Sequence, residues 1–156
     1  MTAINVYLTF NGNCEEAFNF YKSVFGGDFG YVGRFKDMPP QDGKAVPAKD
    51  ANKIMHISLP ISKETILMGS DSSEDFGGKV TAGTNFSISL STDSNANADK
   101  FFKSLSAGGK ATMPMSETFW GSYFGMLTDK YGIQWMVSND RAQQNQKDQK
   151  KATTVA

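Results

Sequence analysis

The feature that most limits how this chain can fold is that it repeats itself. Phe20-Tyr21-Lys22-Ser23 recurs as Phe101-Phe102-Lys103-Ser104, Gly26-Gly27 recurs as Gly108-Gly109, and Phe86 to Leu90 matches the first apolar stretch with Ile88 and Leu90 falling on Leu8 and Phe10. Whatever unit the first half builds must therefore be built again, from the same elements in the same order, and two such units pair about a pseudo-two-fold axis.

The unit can be read from hydrophobic period and turn chemistry. Ile4 to Phe10 alternates as a strand, with Leu8 and Phe10 on one face and Tyr7 and Thr9 on the other. Asn13 followed by Glu16 has the form of a capping box, and Ala17, Phe18, Tyr21, Val24 and Phe25 form an apolar helical stripe that Gly26-Gly27 ends. Phe29 to Phe35 is a second strand, and 37–52 is a long loop containing Pro, Gly and Lys. Ile54 to Leu59 and Thr65 to Gly69 are two more strands joined by a polar turn at Ser62-Lys63. After a loop rich in Ser, Asp and Gly at 70–83, the order begins again: a strand at 86–90, the second helix, a strand at 111–115, and a hairpin. In that hairpin, Ser122 to Leu127 and Ile133 to Val137 flank Asp129-Lys130-Tyr131-Gly132, with Asp first and Gly last as a type I turn prefers. The expectation is an α+β fold of two β-α-β-β-β modules, at 3–69 and 84–138, with eight strands curved round one cleft and a helix behind each half. The domain then covers 1–139, and the Gln, Lys and Asp-rich stretch 140–156 reads as a disordered tail.

Composition removes several functional classes. At 156 residues, 39% of them hydrophobic, the chain can bury one ordinary core. Sixteen basic residues balance sixteen acidic ones, so no excess charge draws the protein to nucleic acid or to an anionic membrane. One cysteine excludes an internal disulfide, and residues 1–13 have neither the charged start nor the apolar run of a secretory signal, so a cytoplasmic protein is expected.

Tyr7-Leu8-x-Phe10-x-Gly12-Asn13, Glu16-Ala17, Phe20-Tyr21 and Phe25-Gly26-Gly27, followed by Phe119-Trp120-Gly121, Gly125, Asp129, Gly132 and Trp135, resemble the PhnB-like branch of the glyoxalase/bleomycin-resistance superfamily, the vicinal oxygen chelate proteins. This branch is sometimes labelled a 3-demethylubiquinone-9 3-methyltransferase domain, and the likeness spans roughly 3–138. It implies paired β-α-β-β-β modules, often in a homodimer, within a superfamily of metal-dependent lyases, isomerases and dioxygenases and of metal-free drug-sequestering proteins. The superfamily's metal is held by His, Gln or Glu from the first and last strand of each module. Matching strands puts Tyr7, Met68, Ser87 and Met136 at those four places. Zn, Mn, Fe or Ni would want imidazole or carboxylate there, so no metal and no other cofactor is expected.

The remaining chemistry-bearing residues each have two readings. His56, the only histidine, lies in Ile54-Met55-His56-Ile57-Ser58-Leu59. Strict alternation points Met55, Ile57 and Leu59 at the helix and His56 with Ser58 to the opposite face, so His56 is either a general base or lone metal ligand or a hydrogen-bonded strand histidine. Glu117, beside Thr118, Phe119 and Trp120, is either an acid/base with a raised pKa or a solvated turn carboxylate. Trp120 and Tyr123 suit the wall of a ligand cavity as well as a core, whereas Trp135, in step with Ile133 and Val137, reads as core. Cys14 in the first helical turn is a packed small residue or a thiol acidified by the helix dipole. Two functions follow: a protein that binds a small organic molecule in an aromatic cleft, or an enzyme that uses Glu117 or His56 for proton transfer. Methyl transfer has no counterpart here, because no Gly-rich loop follows the first strand of a doubly wound sheet.

Overall fold

A computed structural model describes residues 2–140 apart from 41 and 76, together with Thr153. The expected tail lies almost wholly outside the described residues. The chain divides between Ala82 and Gly83 into two units. The first contains strand β1 (Val6–Phe10), helix α1 (Cys14–Phe25), β2 (Tyr31–Arg34), a 3-10 turn (Phe35–Asp37), β3 (Ile54–Pro60) and β4 (Ile66–Asp71). The second contains β5 (Ile88–Ser91), α2 (Asn95–Ser106), β6 (Lys110–Glu117), β7 (Ser122–Thr128) and β8 (Gln134–Asp140). Strand order is β1-β4-β3-β2 in one sheet and β5-β8-β7-β6 in the other. In each the first strand runs parallel to the last and the other pairs are antiparallel. The repeat in the sequence is thus a repeat of topology, and the fold is the expected α+β pair of β-α-β-β-β modules.

Each helix packs on one face of its own sheet. In the first unit Leu8, Phe10, Ile57, Leu59 and Leu67 are buried with Ala17, Phe18 and Tyr21 of α1. The approach is close because Gly69 has no side chain: a Cβ there would stand 2.7 Å from Cε2 of Phe18 and 2.8 Å from the Leu8 carbonyl. Gly125 does the same in the second unit, where a Cβ would meet Cε2 of Phe102 at 2.9 Å. Leu127, Trp135 and Val137 fill the core there, with Ala98 and Leu105 of α2.

The type I turn forms as the sequence predicts. Gly132 N–H donates to the Asp129 carbonyl, and the Asp129 carboxylate accepts from the N–H groups of Tyr131 and Ile133. Its second oxygen accepts from Nε1 of the buried Trp135 at 2.9 Å, so the turn residue also satisfies a core donor.

Three local expectations are corrected. Asn13 makes no side-chain capping bond. The helix start is instead held by Asp71, at the end of β4, whose Oδ1 accepts from the Gly12 and Cys14 N–H groups at 3.0 and 2.9 Å while Oδ2 accepts from Ile54 N–H at 2.9 Å. Parallel pairing of Phe10 with Asp71 brings that carboxylate to the helix entrance, where negative charge is favourable. Second, β3 bulges: Gly33 pairs with His56 but Arg34 with Ile54. The extra residue reverses the alternation, so fully buried Ile54 joins Ile57 and Leu59, and Met55 lies on the far side from where strict alternation puts it. Third, Ser87 precedes β5, and Ser89 is the residue that pairs with Met136. The two-residue shift keeps the parity of the strand, which is why hydrophobic pattern alone does not reveal it.

Candidate functional site

The face of the first sheet away from α1 carries the candidate residues of the first and last strands. Tyr7 pairs with Met68, Met68 with Ser58 and Ser58 with Tyr31, giving a row across all four strands. His56, beside that row, is flanked by both tyrosine rings. Its ring lies 5.6 Å from that of Tyr7, nearly parallel at 24°, and 5.7 Å from that of Tyr31 at 37°. Tyr7 Oη and His56 Nδ1 are 3.2 Å apart, a geometry that suits the tautomer with its proton on Nε2 and the phenol as donor. Tyr31 reaches the histidine because the residue two places along its strand is Gly33. A Cβ at Gly33 would be 2.7 Å from Cε1 of Tyr31, so the ring lies back along bare backbone. Although stacked, Tyr7 and Tyr31 remain 47% and 50% exposed, leaving their outer faces available to a ligand.

Along the same face the sheet opens into a pocket of about 340 Å³, lined by Thr9, Ser70 and Met55 from the strands and by Phe35 and Met38 from the segment after β2. The bulge in β3 puts Met55 there. Tyr31 and Met55 are site residues that the sequence does not announce. Only the partnership of Tyr31 with Gly33, two residues apart on one face of a strand, hints at the first.

In the second unit the corresponding row is Ser89, Met136, Met126 and Met113, again across four strands. Trp120 sits in the connection between β6 and β7, 55% exposed, with its ring edge-on to Phe119 and 6.0 Å from Phe124. Phe124 is in step with Met126, so Trp120 borders the same face. Glu117 and Tyr123 do not. They pair with each other on the parity that faces α2, where Tyr123 Oη donates to Asp99 Oδ1 at 2.7 Å and Asn95 Nδ2 lies 3.4 Å from Glu117 Oε1. The Asp99 hydrogen bond raises the Tyr123 hydroxyl above its ordinary range, with lesser contributions from burial and from the charges of Asp99 and Glu117. The structure therefore groups Tyr7, Met68 and His56 in one unit and Met136 and Trp120 in the other, and sets Glu117 and Tyr123 apart from the latter pair.

The donors do not suit the superfamily's metal. Tyr7 beside Met68, and Ser89 beside Met136, offer a phenol, a hydroxyl and thioethers in place of imidazole and carboxylate. Among the described residues no three His, Cys, Asp or Glu side chains converge. Cys14 is fully buried, and burial, reinforced by the charges of Asp71 and Glu15, pushes its thiol well above the usual range. It is a packing residue, and the dipole of the helix does not activate it.

Comparison with known proteins agrees with this architecture. Residues 2–138 match the family described as 3-demethylubiquinone-9 3-methyltransferase. Protein YjdN of Escherichia coli is 32% identical over 152 residues, covering 92% of this chain and 99% of YjdN. Protein PA1353 from Pseudomonas aeruginosa is 38% identical with a TM-score of 0.77, the match covering 90% of this chain and 98% of that one. The PhnB protein from Bacillus cereus, 24% identical with a TM-score of 0.69 over 88% of this chain and 99% of its own, shares the fold.

Proposed function

The chain belongs to the 3-demethylubiquinone-9 3-methyltransferase family, the PhnB-like branch of the glyoxalase/bleomycin-resistance superfamily, and on that premise we propose that it binds a small, largely planar organic molecule on the aromatic face of its first sheet, without a resident metal of the superfamily's kind. The observation that carries this reading is the Tyr7, His56, Tyr31 stack. Three rings lie with each neighbour within 6 Å of the next, and the outer two, Tyr7 and Tyr31, are about half exposed beside the pocket that Phe35, Met38 and Met55 help to line. Such a surface takes a flat ligand by offset stacking, and the His56 ring and Tyr7 hydroxyl supply the few polar contacts that orient it. Met68 can adapt its shape to the ligand edge. In the second unit Met136 and Trp120, with Ser89 in the place expected of Ser87, lie on the corresponding face of that unit's own sheet, and Tyr123 lies on the face toward α2.

The test uses 1-anilinonaphthalene-8-sulfonate as a planar probe. Its fluorescence should rise with the native protein, and Tyr31→Ala and His56→Ala should each weaken binding about tenfold or more. Equal binding by both variants would sink the proposal. Metal analysis after chelation bears on the metal-free part, which one Zn or Mn per chain held by His56 would overturn. A homodimer is part of the same reading, since the resemblance implies pairing and Ile66 leaves apolar surface exposed at the start of β4, apart from the tyrosine faces offered to the ligand. Sedimentation at 17.0 kDa at micromolar concentration would remove it.

A second reading is favoured by one contact. Tyr7 Oη at 3.2 Å from His56 Nδ1 leaves Nε2 as the ring atom for exchanging a proton with a bound molecule, which is the geometry of an acid/base pair. Glu117 is the alternative acid, placed toward Asn95. Turnover that survives chelation and is lost in His56→Gln but not in Glu117→Gln would assign the proton transfer to the histidine. The methyl transfer in the family's description is not assigned to this chain, whose two mixed sheets lack a doubly wound parallel core.

A further inference from the structure

A second cavity of the first unit, about 470 Å³ and separate from the aromatic stack, lies where the end of β1 meets the loops before β3 and after β4. Its lining includes Asn11, Lys49, Asp50, Lys53, Ser72 and Lys79. The walls are held in place. Asn11 Nδ2 donates to the Val80 carbonyl and Asn11 Oδ1 accepts from Val80 N–H, which ties the segment carrying Lys79 to the strand end, and Ser72 Oγ donates to the same Asn11 oxygen.

Asp50 is the unusual member of this set. Asp50 is 1% exposed, one carboxylate oxygen is paired with Lys53 Nζ at 2.7 Å, and the other, Oδ2, is buried with no hydrogen-bond partner among the described residues. A buried carboxylate oxygen without a donor is costly, and folded proteins rarely keep one without a use. Because Lys53 already balances the Asp50 charge, what Oδ2 lacks is a neutral donor such as a hydroxyl, not a second cation. The charges of the lining cancel in pairs, Lys53 with Asp50 and Lys49 with Glu74. That leaves Lys79, exposed and without a hydrogen bond or ion pair among the described residues, as an uncompensated positive charge at the mouth.

We propose that this cavity binds a small anion that also carries a hydroxyl group, such as a hydroxy acid or a sugar phosphate, with the hydroxyl donating to Asp50 Oδ2 and the anionic group lying against Lys79. Lys53 is shared between Asp50 and the ligand, and Ser72 is within the same lining for a further hydrogen bond. Recognition needs both groups at once: the anion alone meets one surface lysine, and the hydroxyl alone has no charge to hold it. Ser72 also lines the pocket beside the aromatic face, but Asp50, Lys53 and Lys79 do not, so the two sites differ in their recognition chemistry and stand or fall separately.

Titration of the full isotope-labelled chain with glycerol 3-phosphate, followed by amide NMR, tests the idea. Signals of Asn11, 49–53, 72–75 and 77–80 should move together with a Kd in the millimolar range or tighter, about tenfold tighter than for inorganic phosphate. Lys79→Gln, an exposed substitution that leaves the core intact, should weaken glycerol 3-phosphate about fivefold or more. Asp50→Asn keeps one oxygen for Lys53 but turns the second atom into a donor, so it should erase the preference over inorganic phosphate while phosphate itself binds as before. Inorganic phosphate and glycerol 3-phosphate binding equally to the native chain would mean an adventitious ion only and would overturn the proposal. So would no movement of these signals at about 20 mM ligand, or a wild-type affinity in Lys79→Gln.

Discussion

Removing the Asp71 carboxylate should be among the most damaging single changes outside the apolar core. Asp71 is 4% exposed and accepts three backbone N–H bonds of 2.9 to 3.0 Å, two at the start of α1 and one at the start of β3. Hydrogen bonds to a charged group contribute about 1.5–3 kcal/mol each, and a buried donor stripped of its acceptor costs about as much. The Cys14 and Ile54 bonds are buried and the Gly12 bond is partly buried, so water can replace the acceptor only at Gly12. Counting about 2 kcal/mol for each buried bond, Asp71→Ala should lose about 4 kcal/mol, equivalent to a fall in Tm of about 8–16 °C for a chain of this size. Asp71→Asn can keep its oxygen toward the helix but presents an NH2 to the Ile54 N–H, so about half the loss is expected. Urea unfolding followed by far-ultraviolet circular dichroism measures both. A loss under about 1 kcal/mol for Asp71→Ala, or equal losses for the two variants, would refute the idea that one carboxylate joins helix, first strand and third strand.

Three other outcomes follow from the described geometry. Gly69→Ala should cost about 2 kcal/mol in the same assay, because its Cβ meets a packed Phe18 ring at 2.7 Å and the Leu8 carbonyl at 2.8 Å, neither of which can withdraw easily. The hydrogen bond from Arg34 holds the Glu15 carboxyl below its ordinary value near 4.5. The stabilisation this implies is fully present above that value and lost as pH falls through the lower native one, and Arg34→Gln should move the Glu15 titration upward in carbon-detected NMR. Cys14 should react with a thiol-specific disulfide reagent about a hundredfold more slowly in the native chain than in denaturant, whereas comparable rates would mean that the thiol is not sealed beneath α1.

Much of the fold is legible in the sequence because its signals are local. Leu8 and Phe10 alternate, Ala17, Phe18 and Tyr21 mark one face of a helix, and Asp129 to Gly132 contains the chemistry of its own turn. The repeat then carries each of these conclusions into the other half. What is not legible depends on contacts between distant residues. The donors at the helix start are satisfied by a carboxylate more than fifty residues away, so the nearby Asn13 has the appearance of a cap without being one. A bulge leaves no mark in composition, so strict alternation assigns Met55 to the wrong face. The aromatic site is half legible: strand position and chemistry single out Tyr7 and His56, but the third ring, Tyr31, comes from β2 and reaches His56 by lying back over Gly33 of its own strand.

The strand β6 has a consequence for behaviour at high concentration. It is the longest strand of its sheet, lies at the sheet's edge, and is exposed along most of its length. An edge of that kind invites a second molecule to add a strand, which is how soluble sheets begin to aggregate. Pro114 removes an N–H from the middle of β6, and the pairing with β7 slips on either side of Met113. The outer ladder is therefore interrupted and twisted where a flat one would be sticky. Replacing Pro114 with Val would restore the missing donor, and the cost would appear as turbidity or thioflavin fluorescence on storage rather than as a change in the folded chain.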